Sequence, residues 1–106
     1  MKRFRLDKSG DRGWYIGDFE RAVWRTKEFE VNYQVNPRSK PPSHYHKEIH
    51  EIQLIIRGRM LVNGEIYEAG DIFMFEPGDN CQVEYLEHTE TVTVKVPARP
   101  TDKYLL

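Results

Sequence analysis

The sequence predicts an all-β domain, a sandwich or a small barrel. Two observations carry this. Apolar residues recur at every second position in several short runs, and Gly, Pro and Asn turn signals separate those runs. Helical periodicity is nearly absent. Only Asp18 to Thr26 could hold a helical turn.

The elements follow in order. Residues 10–35 form an aromatic N-terminal section carrying Trp14, Tyr15, Phe19 and Trp24. Such residues pack on the outside of a barrel or against a second subunit. Phe29 to Val35 alternates, with Phe29, Val31, Tyr33 and Val35 on one face. Asn36-Pro37 through Pro41-Pro42-Ser43 is a loop, because proline cannot donate to a strand ladder. Ile52 to Ile56 and Ile72 to Phe75 are apolar enough to be strands buried on both sides. Met60-Leu61-Val62 and Glu65-Ile66-Tyr67 flank Asn63-Gly64, a pair suited to the type I′ hairpin because both residues tolerate positive φ. Ala69-Gly70-Asp71 and Pro77-Gly78-Asp79-Asn80 mark two more turns. Cys81, Val83 and Tyr85 share one face of a further run. Glu87-His88-Thr89-Glu90 reads as a solvated polar turn, Thr91 to Val96 as the last strand, and Arg99 to Tyr104 as a charged surface tail.

The chain has 106 residues, which suits one domain spanning 1–106. Its net charge of −1 and pI of about 6.4 lack the basic bias of a nucleic-acid binder. No run approaches the roughly 20 apolar residues of a membrane helix. Lys2, Arg3 and Arg5 are followed by Asp7 rather than an apolar run, unlike a signal peptide. One cysteine, Cys81, excludes an internal disulfide and fits a reducing, cytoplasmic setting.

The chemistry concentrates at His44-Tyr45-His46-Lys47-Glu48-Ile49-His50-Glu51, which holds three of the four histidines. Residues two apart on a strand face the same side, so His44 and His46 can aim at one point. Neutral imidazoles bind zinc, iron, nickel or manganese, and Glu51 would add an anionic ligand. Alternation separates His50 from Glu51. Glu51, Gln53, Ile55 and Arg57 share one face, and His50, Ile52, Leu54 and Ile56 the other. A polar loop is the plain alternative for each histidine. For Cys81 the plain alternative is a small buried hydrophobe.

His44-x-His46, four residues, Glu51, six residues and Gly58 resemble the first motif of the cupin superfamily. Arg38 stands where that motif begins with glycine. The second cupin motif resembles Gly70 to Tyr85, with Gly70 and Gly78 matching. There Glu76 replaces a proline, Cys81 the histidine ligand and Tyr85 an asparagine. The likeness covers about residues 36–97. It implies a cupin double-stranded β-helix, a jelly-roll-like antiparallel barrel. It also implies that His44, His46 and Glu51 bind a divalent transition metal (Zn, Fe, Ni or Mn), with Cys81 at the fourth position. Gln53 and Tyr85 are the candidate substrate-binding residues.

The expected function is metal-dependent binding or turnover of a small polar molecule. His44, His46, Lys47, His50 and Gly58 also resemble the block of small cupin isomerases acting on nucleotide-linked keto-sugars, where histidines move protons without a metal. His50 is the catalytic candidate on that alternative. A third possibility is a non-enzymatic binding or scaffold cupin. Small cupins usually dimerise through N-terminal strands, so a homodimer is expected.

Overall fold

The computed structural model describes all 106 residues. After a single helical turn at Leu6–Lys8, the elements are β1 (Trp14–Gly17), β2 (Trp24–Arg25), β3 (Glu30–Asn36), β4 (His44–Tyr45), β5 (His50–Arg57), β6 (Arg59–Val62), β7 (Glu65–Glu68), β8 (Ile72–Phe75), β9 (Val83–Tyr85), β10 (Thr89–Val96) and β11 (Tyr104–Leu105). Six strands form one sheet in the order β2-β1-β3-β10-β5-β8, against a three-stranded sheet β7-β6-β9 and a ribbon β11-β4. All pairings are antiparallel except β1 with β2. The all-β prediction therefore holds. No helix is long and apolar enough to cross a membrane.

Turn chemistry places the strand ends. Asn63 and Gly64 take φ of 46° and 87°, the two positive values a type I′ turn requires, and join β6 to β7 in register. The helical turn considered for Asp18 to Thr26 does not form. Val23 N–H donates to the Tyr15 carbonyl and Thr26 N–H to the Gly17 carbonyl, so this segment pairs as β2 instead.

The compact apolar core is Ile55, Met60, Val62, Phe73, Phe75, Cys81, Val83 and Tyr85. It fills one end of the space between the sheets. Elsewhere the large sheet is polar inside and apolar outside. One inner cross-strand row reads Glu30–Lys95–Glu51–Phe75 and the next Asn32–Thr93–Gln53–Phe73. Glu30, Asn32, Glu51, Gln53, Thr91 and Thr93 are all buried. The outer rows read Val31–Val94–Ile52–Met74 and Tyr33–Val92–Leu54–Ile72.

The two-sided burial expected of Ile52–Ile56 and Ile72–Phe75 is thus not seen. Leu54, Ile56, Ile72 and Met74 are exposed on the outer face. The period of two was right, but the polar set won the interior because the site lies there.

The surface-tail expectation for Arg99 to Tyr104 holds for the exposure of all its residues but Asp102, yet the segment is docked rather than free. Asp102 is buried, Tyr104 and Leu105 pair with Tyr45 and His44, and the Tyr104 ring stacks on Tyr45 at 5.4 Å. Nor do all the N-terminal aromatics lie outside. Trp14 pairs with inward-facing Asn32, and the Lys95 Nζ sits 4.9 Å from its ring centre.

Candidate metal centre

His44 lies on β4 and faces Cys81 across an antiparallel bridge. His44 N–H donates to the Cys81 carbonyl at 3.2 Å, and Cys81 N–H returns a bond to the His44 carbonyl at 2.8 Å. Paired residues of this kind point to the same side. β5 then brings Glu51 in on its inward face, while His46 follows β4 with only 1% of its surface exposed. One ligand atom from each of His44, His46, Glu51 and Cys81 lies within 4.8 Å of every other. The His44 and His46 rings stand edge to face at 5.0 Å.

The orientation of His46 is set by its surroundings. Its Nδ1–H donates to the backbone carbonyl of Asp102. That fixes the tautomer and leaves Nε2 as a lone pair. Nε2 is buried without a hydrogen-bond partner and lies 3.6 Å from Glu51 Oε1. This is too long for a hydrogen bond. It is close to the separation of about 3.0–3.4 Å that two ligand atoms take around one ion at bonds near 2.1 Å. His44 Nδ1 is likewise buried and unpartnered. Burial, reinforced by nearby Lys103, lowers the pKa of His44 and keeps it neutral, the form that binds metal.

Glu51 is the charged member. Burial opposes its ionisation, but the Lys95 ammonium at 3.6 Å and an amide bond from Gln53 at 3.2 Å favour the carboxylate and help hold its pKa below the ordinary value. The ordinary value is 4.5, so Glu51 contributes stability that is fully present above about pH 4.5. That contribution is lost as pH falls through the lowered pKa. Metal-free protein is therefore expected to lose stability as pH falls below 4.5, and Glu51→Gln to flatten that slope. Denaturant midpoints across the window check this, and an unchanged slope in the variant would contradict it.

Cys81 is buried in the core, and its thiol donates to the Asp79 carbonyl at 3.7 Å. Burial, with the Glu51 and Asp79 charges behind it, pushes the thiol up to about 12. Without an ion it is an inert thiol, and only a metal would ionise it near neutrality.

Gln53 and Tyr85 both lie in the buried interior beside Glu51. The Gln53 amide orients Glu51. Tyr85 packs in the core, its hydroxyl pushed up to about 12 by burial and Glu51. His50 is exposed and pairs with Val96 on the outer face, so it does not share a site with Glu51. His88 is half-exposed beside Glu90 at 3.5 Å.

Two residues at the site escaped sequence reasoning. Lys95 interrupts the Thr-Val alternation of β10 and could have been flagged as a charge on the Thr91/Thr93 face. Asp102 carries no local signal at all.

No protein-family model matches the sequence, and neither does any curated protein. Similarity appears among solved structures. Pac13, described as a unique nucleoside dehydratase, superposes with a TM-score of 0.74 at 13% identity, over 100% of this chain and 91% of that one. A double-stranded β-helix domain from Klebsiella pneumoniae gives 0.69 at 21% identity, over 98% and 90%. A cupin protein from Bacteroides fragilis gives 0.58 at 24% identity, over 74% of each chain. The chain has the cupin fold. At these identities the likeness concerns the fold alone. Within this fold, the His/Glu/Cys cluster occupies the interior between the sheets.

Proposed function

We propose that this cupin binds one divalent transition metal through His44, His46 and Glu51, with Cys81 as fourth ligand, and uses it on a small polar molecule. The observation that carries the reading is His46 Nε2, buried, unpartnered, tautomer-fixed and aimed at Glu51. Such an atom costs stability unless something completes it. Two neutral imidazoles, a carboxylate and a thiol rank zinc first, then iron or nickel, with manganese last. When bound, the ion polarises a ligand oxygen or lowers the pKa of a bound water. Glu51 supplies the negative charge, Gln53 orients it, and Lys95 balances it when the ion is absent. A single free thiol suits a reducing, cytoplasmic compartment.

Elemental analysis of protein purified without added metal tests the reading. Near one equivalent is expected in the wild type. Cys81→Ser should weaken zinc binding about tenfold, and Cys81→His should restore or tighten it. Equal affinity for wild type and both variants would remove Cys81 from the site.

A second reading is metal-free acid–base chemistry on a nucleotide-linked keto-sugar. Lys95 favours it, because its ammonium already neutralises Glu51 and leaves His46 Nε2 as a buried base. His50, which that reading also needed, lies on the far face. Absence of metal combined with a thermal shift from nucleotide sugars would promote this second reading.

The assembly we propose is a homodimer formed through the outer face of the large sheet. The two apolar rows, with Val35, Ile56 and Val96 beside them, span four strands, roughly 20 Å by 20 Å, with the Arg57–Glu90 pair at one end. A patch on the order of 400 Å² is half of what one partner buries in a standard interface, and the exposed Trp24 region extends it. Light scattering should give twice 12.6 kDa, and Leu54→Glu with Ile72→Lys should halve it. A wild-type monomer at tens of micromolar would contradict this.

A further inference from the structure

The last residues of the chain form a clasp on the metal-site turn. Beyond β10, Ala98 N–H donates to the Lys27 carbonyl at 3.0 Å. The chain then crosses the turn that follows β4. The Asp102 carboxylate accepts three consecutive backbone N–H groups there, Lys47 at 2.9 Å, Glu48 at 2.8 Å and Ile49 at 3.0 Å. Such a row of amides is an anion cradle, here filled by a side chain 53 or more residues away in sequence. The backbone carbonyl of the same residue takes the Nδ1–H of His46. Asp102 is 6% exposed. Three further contacts hold the clasp shut. Tyr104 stacks on Tyr45, the Lys47 ammonium lies 4.2 Å over the Tyr104 ring, and Leu106 N–H donates to the Ser43 carbonyl at 3.1 Å.

One residue thus fixes the loop between two ligands with its side chain and the ring of one ligand with its main chain. We infer that Asp102 is a positioning residue for the metal centre, and that docking of residues 98–106 and metal loading are thermodynamically coupled. This rests on the metal reading above. Undocked, the tail frees the 47–49 turn, and His46 loses both its tautomer lock and its orientation. Occupied, the site holds His46 still and so holds the carbonyl that it bonds. Coupling of this kind is reciprocal, so whatever the clasp adds to metal affinity the metal returns to the clasp.

The test uses zinc and the 106-residue chain. Zinc affinity is read by competition with a coloured chelator, and tail opening by trypsin cleavage after exposed Lys103. Loss of an outer partner of a ligating histidine costs about 10–100-fold in affinity, and Asp102→Ala is expected in that range. Asp102→Asn keeps one oxygen acceptor and should fall between it and the wild type. Tyr104→Ala, which leaves Asp102 intact, serves where Asp102→Ala fails to fold and should weaken zinc several-fold. In the wild type, zinc should slow cleavage after Lys103 in step with saturation, whereas cleavage of Asp102→Ala should be fast and insensitive to zinc. A residue that merely stabilised the fold would not produce that zinc dependence. If the wild type binds zinc while the variants bind it equally well and cleavage ignores it, the clasp inference falls and the metal reading stands. If the wild type takes up no zinc, both fall together.

Discussion

Replacing His46 by alanine is expected to lower zinc affinity at least 100-fold, more than any other single side-chain change at the centre. Loss of a group that merely orients a ligand already costs about 10–100-fold, and this change removes the ligand itself. Two features add to the loss. The side chain is 1% exposed, so bulk water does not simply replace it, and the Asp102 carbonyl loses its donor. His44→Ala should cost less, because His44 is half-buried and solvent can fill its coordination position. Chelator competition on the two variants gives the ordering. Equal affinity for His46→Ala and wild type would remove the residue from the site.

Gly58→Ala should produce a large loss of stability. Gly58 joins β5 to β6 at φ +95°, a conformation that side chains rarely adopt. An added Cβ would stand 2.4 Å from the His88 carbonyl oxygen, 2.6 Å from Thr89 Oγ1 and 2.7 Å from Thr89 Cα. Two of these are backbone atoms at the start of β10, which pairs on both sides and cannot step back cheaply. Backbone strain of about 1–3 kcal/mol and overpacking of similar size together give about 3 kcal/mol or more. For a domain of this length that is a fall in Tm of about 12 °C or more. Gly64→Ala is the comparison, at φ +87° but with nothing within 4 Å of its Cβ, so only the strain remains. A fall of less than 4 °C for Gly58→Ala, or equal falls for the two, would contradict the crowding described.

The contrast between these glycines shows what the sequence could reveal. Local devices were legible. Asn63-Gly64 acts within its own four residues, so its hairpin appeared where turn chemistry put it. The spacing of His44 and His46 carried their convergence on one point, and the Cys81-Val83-Tyr85 alternation put all three in the buried interior.

What local pattern does not encode is which face of a strand turns inward. In β3 and β10 the valines invite burial, yet Asn32, Thr91 and Thr93 are inside and Val92 and Val94 outside. Hydrophobic pattern fails there because the interior is shared between a core and a polar site, and an apolar sheet back remains exposed. Asp102 was illegible for a different reason. Its role comes from contacts more than 50 residues distant, and a single acid in a charged stretch gives no periodicity to read. Lys95 lies between these cases, visible as a break in alternation but not as a partner of Glu51.

The central claim is that His44, His46, Glu51 and Cys81 surround one ion. Anomalous diffraction from crystals grown with zinc, recorded on both sides of the zinc absorption edge, tests it most directly. The account predicts a single edge-dependent peak about 2.0–2.3 Å from a nitrogen of each histidine, a Glu51 oxygen and the Cys81 sulfur. A zinc peak confined to surface residues, or none between these four side chains, would contradict it.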